Sequence, residues 1–253
     1  MEGNESRVVV WFSCGAASAL AAKLAVQEYG ERCVVVYCDT GGEHEGNGKF
    51  LKDIERWIGR DITIIRNTKG YEDHFAVFER TKYLVGVRGA RCTVELKKVP
   101  RFEYQRADDV HVFGYTSEES ARAERFNQQN PELFTDWILI RKGIPKRDCI
   151  GALWKSGIEV PPMYTLGYEH NNCIGCVKGG MGYWNRIRKD FPDRFKRMCG
   201  IERGIGHSIF RNKDGSRLWL DELSPSAGNF KAEPPISCGL GCGLMVNEIT
   251  ASD

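Results

Sequence analysis

The first half of the sequence alternates short β-rich apolar runs with amphipathic stretches, a pattern that restricts the fold to a parallel sheet covered by helices. Residues 8–12 (VVVWF), 33–38 (CVVVYC), 61–65 (DITII) and 110–115 (VHVFGY) read as buried strands, with 136–140 (DWILI) as a fifth. Between them, 17–29, 48–58 and 117–127 carry apolar residues at helical spacing. A loop-rich insertion is expected near 80–92. The expected class is therefore α/β, a parallel twisted sheet flanked by helices. After about residue 142 the alternation stops, and Pro145, Pro161 and Pro162 punctuate short helical pieces. Residues 182–198 read as a helix interrupted at Pro192, and the Pro- and Gly-rich tail 232–243 reads as irregular. The organisation expected is an α/β domain over 1–142 and a mostly helical, cysteine-rich region over 143–253.

At 42% hydrophobic, with 36 Lys and Arg against 34 Asp and Glu, the 253 residues exclude disorder and collagen-like repetition. No apolar run approaches the roughly 20 residues of a spanning helix, and the polar start MEGNESR lacks the order of a secretory signal, so a cytoplasmic protein is expected. A net charge of +2 gives no global field for nucleic acid. Ten cysteines in a reducing compartment point to metal binding or thiol chemistry rather than to a disulfide framework.

In an open parallel sheet, ligands bind beyond the carboxyl ends of the strands. The first such turn, Ser13-Cys14-Gly15-Ala16-Ala17-Ser18, opens directly into a helix. Its small residues let backbone amides approach a phosphate, or else it is an ordinary capped turn. The second turn places Asp39-Thr40-Gly41 where a ribose, an adenine amino group or a phosphate-bound Mg2+ would lie, with a simple cap as the alternative.

Four segments in order, SCGAASAL, YCDTGGEHEGN, RCTVELKKVP and GYTSEESARAERF, resemble the phosphoadenylyl-sulfate (PAPS) reductase family of the adenine-nucleotide α-hydrolase, or PP-loop, superfamily. The resemblance spans roughly residues 8–180. It implies an adenine nucleotide, PAPS, adenylyl sulfate (APS) or ATP, bound by Ser13 to Ser18 and Asp39 to Gly41. Lys97, Arg122 and Arg125 would then line an anion pocket. PP-loop ATP pyrophosphatases place Lys and Asp where this chain has Ala16 and Ala17, which weighs against ATP cleavage. Mg2+ is expected only if ATP is the substrate.

Cys33, Cys38 and Cys149 read as packing residues, and Cys14 as a structural residue within its turn. The informative set is Cys92, Cys173, Cys176, Cys199, Cys238 and Cys242. A C-x-x-C such as Cys173 to Cys176 suits a metal, a redox dithiol or neither. By resemblance to APS reductases, Cys92, Cys173 and Cys176 would hold a 4Fe-4S cluster; of those enzymes' tandem cysteine pair only Cys92 is kept, so a fourth ligand comes from elsewhere, with Cys242 of the tail a candidate, or one iron is open. The tail segment around Cys238 is similar to that carrying the reductases' nucleophilic cysteine. Either Cys238 attacks a sulfonucleotide, or Cys238 and Cys242 complete a four-thiolate site for a cluster or for zinc.

The segment Arg186 to Arg197 holds six cations and reads as a solvated face, or as a contact for nucleic acid or a thioredoxin-like reductant. A homo-oligomer is compatible with the sequence. The reading is a sulfonucleotide reductase. Its alternatives are an ATP-dependent sulfurtransferase thiolating nucleic acid, or a nucleotide-binding accessory protein of a phage or defence system.

Overall fold

The computed structural model describes residues 6–86, 89–234 and 236. Five strands form one sheet: β1 (Val8–Phe12), β2 (Cys33–Cys38), β3 (Ile62–Ile65), β4 (Val110–Phe113) and β5 (Phe134–Asp136). Their order is β3-β2-β1-β4-β5, and every pairing is parallel. Val10 stands opposite Val35 on one side and Val112 on the other, so β1 is central.

The continuous apolar character of β1 follows from burial of both sheet faces. Val8, Val10 and Phe12 point into one core with α1 (Ala16–Tyr29) and α2 (Asn47–Ile58), while Val9 and Trp11 point into an aromatic layer with Phe113, Tyr115 and Phe126. Ala16, Ala19, Ala21, Ala22 and Ala25 form the buried face of α1, and their small side chains bring that helix close to the sheet.

The fifth apolar run departs from expectation. Its strand covers Phe134–Asp136, and the residues expected to continue it form the helical turn α6 (Ile138–Arg141), which buries Ile138 and Leu139. The insertion is more ordered than a loop. It contains α3 (His74–Thr81), a two-residue ladder of Val85–Gly86 with Gly89–Ala90, and a continuous helical stretch, α4, made of Arg91–Thr93, a π turn at Val94–Lys98 and Val99–Tyr104. After β4, a 3-10 turn at Ser117–Glu119 leads into α5 (Ser120–Gln129).

The C-terminal region is helical: α7 (Lys146–Lys155), α8 (Pro162–Thr165), α9 (Met181–Asp190) and α10 (Pro192–Ile205). The break at Phe191 falls where expected, because Pro192 lacks an amide proton and starts a helix readily. Trp184, Ile187, Met198 and Ile201 share a second core with Phe75, Phe78 and Leu84 from the insertion. No helix among the described residues is long and apolar enough to cross a membrane.

Candidate functional site at the switch point of the sheet

The chain runs from β1 to one side of the sheet and later returns to the other, so the crevice between the carboxyl ends of β1 and β4 is the topological switch point. A cavity of about 430 Å³ lies there, lined by Ser13, Gly15 to Ser18, Lys97, Tyr115 and Arg122 among others.

The turn after β1 is braced internally. Cys14 adopts a left-handed conformation, φ 55°, and turns its buried thiol away from the cavity towards the Asn47 carbonyl. Burial pushes that thiol far above its ordinary value. The Cys14 carbonyl accepts a hydrogen bond from Asn171 Nδ2 at 2.7 Å. Ser18 Oγ accepts from the amides of Ser13 at 3.1 Å and Gly15 at 3.3 Å, and donates to the Gly15 carbonyl at 3.0 Å. Ser13, Gly15, Ala16, Ala17 and Ser18 thus border the cavity as expected, whereas the Cys14 side chain does not. On the opposite wall, Gly114 follows β4. A Cβ there would sit 2.6 Å from both the amide nitrogen and Cα of Ser18, so only glycine lets the two walls approach this closely.

The second turn departs from expectation. Asp39 accepts from the Gly41 amide at 2.9 Å and pairs with Arg66 Nε at 2.8 Å. Thr40 is buried, 3.2 Å from Cys173 Sγ, and Gly41 has φ 64° against the Glu72 backbone. Asp39 and Gly41 border a separate cavity of about 500 Å³, and none of the three lines the switch-point cavity.

Glu43, four residues after Asp39, lines the switch-point cavity. Its carboxylate accepts from Tyr37 Oη at 2.9 Å and Asn47 Nδ2 at 3.0 Å, and lies 3.8 Å from Lys97 Nζ. Burial pushes its pKa up, against the opposing pull of Lys97. The π turn in α4 carries Lys97 into this buried position. Arg122 stacks 4.2 Å over the Tyr115 ring and pairs with Glu119 at 2.7 Å. Arg125 is exposed and does not line the cavity, which corrects its expected role. Lys146, Tyr164, His170 and Asn171 also line it, from segments where no site was expected. Burial holds the His170 imidazole below its usual value.

The C-x-x-C loop is held by Tyr183, whose hydroxyl accepts from the amides of Gly175 and Cys176, each at 3.0 Å. The Ile174 amide donates to the Gly42 carbonyl at 2.8 Å, docking this loop on the second turn. Cys92 opens α4 and packs, like Cys176 and Cys199, at the second core. Burial raises Cys33 and Cys199 to about 11 and Cys38 and Cys149 to about 12, as thiols used for packing should be. Among the described residues, no three His, Cys, Asp or Glu side chains form a group able to hold a metal. Cys238 and Cys242 lie outside the described residues. The described residues therefore do not by themselves make the expected 4Fe-4S site.

The four arginines of the basic segment have partners. Arg186 stacks on Tyr168 and Phe230, Arg188 donates to the carbonyls of Leu220 and Leu223, and Arg194 and Arg197 both pair with Asp73. Arg186 and Arg188 brace the C-terminal region, and Arg194 and Arg197 tie it to α3, while Lys189 and Lys196 are exposed.

No family model matches the chain. It is 27% identical over 213 residues to an uncharacterized protein of Methanocaldococcus jannaschii, a match covering 78% of this chain and 41% of that protein. The chain thus spans about two fifths of the length of that relative. Among solved structures it is similar to the U34-tRNA thiolase NcsA from Methanococcus maripaludis with its 4Fe-4S cluster, at 14% identity and a TM-score of 0.40, covering 83% of this chain and 75% of that one. Neither likeness assigns an activity.

Proposed function

We propose that the protein binds an adenine nucleotide in the switch-point cavity and uses it in sulfur chemistry, with ATP and Mg2+ as the nucleotide form and sulfur transfer as the reaction class. The observation that carries this reading is the charge lining the cavity. Among the described residues, Lys97, Arg122 and Lys146 face Glu43, Glu118, Glu119 and Glu169. Lys97 and Arg122 already stand against carboxylates. A polyanionic nucleotide entering such a cavity needs added positive charge, and a phosphate-bound Mg2+ supplies it. In this reading the acceptor oxygen attacks the α-phosphorus, pyrophosphate leaves, and a sulfur nucleophile then displaces AMP.

A second reading, sulfonucleotide reduction, is supported by the path of the chain. Asn172 Nδ2 donates to the Ile236 carbonyl at 3.0 Å, and Ile236 lines the cavity. Cys238 follows two residues later in the sequence and lies outside the described residues. Its thiolate would form an S–S bond to the sulfonate sulfur, breaking the S–O bond to the leaving nucleotide. An external thiol would then release sulfite, forming a disulfide.

Thermal-shift titration of the full chain with ATP, APS and PAPS, each with and without Mg2+, separates the two, because a ligand that binds only the folded state raises its stability. The expected result is Mg2+-dependent stabilisation by ATP with pyrophosphate release. Stabilisation by APS or PAPS alone, with sulfite formation abolished in Cys238→Ala, would replace this reading with the reductase. No stabilisation by any nucleotide would sink both.

A further inference from the structure

The turn after β1 commits most of its own hydrogen-bond donors internally. Ser18 Oγ accepts from the Ser13 and Gly15 amides and gives its proton to the Gly15 carbonyl, while Ser13 Oγ gives its proton to Ser18 Oγ at 3.1 Å. The Ala16 amide, the first of α1, donates to the Tyr164 hydroxyl. In the cavity beyond, Lys97 and Arg122 stand against Glu43 and Glu119. The positive end of the 14-residue α1 still favours a phosphate at this turn. Neither serine hydroxyl, however, has a proton left for it.

Tyr164 stands over this turn from the C-terminal region. It lies in α8, which Met163 anchors in the second core, and it lines the switch-point cavity. A Cβ built on Gly15 would be 3.3 Å from Tyr164 Oη, so the hydroxyl rests on the turn itself. A second tie from the same region, Asn171 Nδ2 to the Cys14 carbonyl at 2.7 Å, holds the turn beneath it. Burial raises the Tyr164 pKa against the opposing Ala16 amide, so the phenol keeps its proton at neutral pH. Because the oxygen receives the amide N–H, the O–H bond points elsewhere, and no acceptor among the described residues takes that proton. The titratable groups that act on the phenol are the Cys14 and Cys149 thiols, so no carboxylate competes for it. Largely buried tyrosine hydroxyls usually find an acceptor, and one with its proton unmet beside a cavity points to a ligand.

We propose that Tyr164 is a phosphate-recognising residue of the switch-point cavity: its hydroxyl gives a hydrogen bond to a non-bridging oxygen of the nucleotide's phosphate chain while accepting one from the Ala16 amide. The inference rests on the nucleotide reading and deepens it by naming a group that reads the phosphate. Accepting the amide N–H polarises the hydroxyl and strengthens it as a donor. A hydrogen bond to a charged oxygen is stronger than one between neutral groups, and this donor carries no charge that a neighbouring carboxylate already balances. Tyr164 therefore discriminates between ligands. It favours a phosphorylated nucleotide over the bare nucleoside, which offers no phosphate oxygen.

Tyr164→Phe removes the hydroxyl and keeps the ring. The test is calorimetric titration of the full wild-type and variant chains with ATP and Mg2+, with AMP and with adenosine, alongside thermal unfolding without ligand as a check on folding. The expected result is a loss of roughly tenfold or more in affinity for ATP and AMP, with adenosine affinity and the unfolding midpoint unchanged. A wild-type chain that binds no ATP would sink the nucleotide reading and this inference together. Wild-type binding with equal ATP affinity in Tyr164→Phe would overturn this inference alone. Tighter ATP binding in the variant would show the hydroxyl occupying the phosphate's own place on the Ala16 amide, and an equal loss for adenosine would show a packing role; either result overturns the proposal.

Discussion

At the scale of single residues, the switch-point cavity depends on contacts that local sequence shows only in part. Lys97 and Arg122 were placed at an anion pocket by the family resemblance, and both line the switch-point cavity. Asp39 stands outside that cavity, paired with Arg66, 27 residues away just after β3, a partner that local sequence does not show. Glu43 and Tyr37 were missed because their importance lies in a shared buried bond to each other, which no spacing rule reveals. Gly114 is the residue whose replacement should be most informative. Gly114→Ala places a methyl group 2.6 Å from the backbone of Ser18, and overpacking of this kind costs roughly 1–3 kcal/mol. Urea unfolding should show that loss, and nucleotide affinity should fall with it. An unchanged midpoint and affinity would contradict the close approach. His111 gives a pH dependence with a definite sign. Its Nδ1 accepts from Trp11 Nε1 at 2.9 Å, and burial first, then Arg101, lowers its pKa from 6.5 to about 4, with Asp109 opposing and Arg7 assisting. Between those values the unfolded chain binds more protons than the folded one. Stability is therefore complete above about pH 6.5 and is lost as pH falls towards 4, by an amount on the order of 3 kcal/mol. His111→Gln should flatten the stability–pH curve over that window, and an equally steep curve would show that other groups carry it.

At the scale of elements, the strands of the first half were legible because both faces of β1 and β2 are buried and the sequence must be apolar at consecutive positions. The segment after β3 was not. The eight residues of α3 are too few to show a helical period, and Thr93 to Lys98 mix charges that read as surface. Yet Glu95, Lys97 and Lys98 are buried by the π turn. Residues 136–140 misled because an apolar run fits a buried strand and a buried helical turn equally well. Asp73 links these elements. It caps α3 by accepting from the Ala76 amide at 2.8 Å and pairs with Arg194 and Arg197 of α10 at 3.1 and 2.8 Å. Asp73→Ala removes a cap worth roughly 0.5–2 kcal/mol and leaves Arg194 without that partner, so a loss of about 2 kcal/mol or more is expected. For a chain of this size that corresponds to a fall in Tm of at least roughly 4 °C. A calorimetric scan within 1–2 °C of wild type, or about 0.5 kcal/mol, would show that α10 is held by its apolar face alone.

At the scale of the whole molecule, the parallel sheet and its helices were legible from hydrophobic alternation, while the strand order that creates the cavity was not. The order β3-β2-β1-β4-β5 puts the turn after β1 beside Gly114 and Tyr115, residues about 100 positions apart. The C-terminal region contributes Lys146, Tyr164, His170 and Asn171 to the same cavity, and its arginines stack on aromatic rings and pair with Asp73. The cysteines divide in a similar way: Cys14, Cys33, Cys38 and Cys149 are buried, whereas Cys173 is half-buried at the junction of two loops, beside Thr40. The central claim is that an adenine nucleotide occupies the crevice between β1 and β4. Hydrogen–deuterium exchange of the full chain, with and without ATP and Mg2+, tests this most directly. Slower exchange at Ser13 to Ser18 together with Gly114 to Arg122 is the predicted result. Protection confined to other segments, or none at saturating nucleotide, would contradict it.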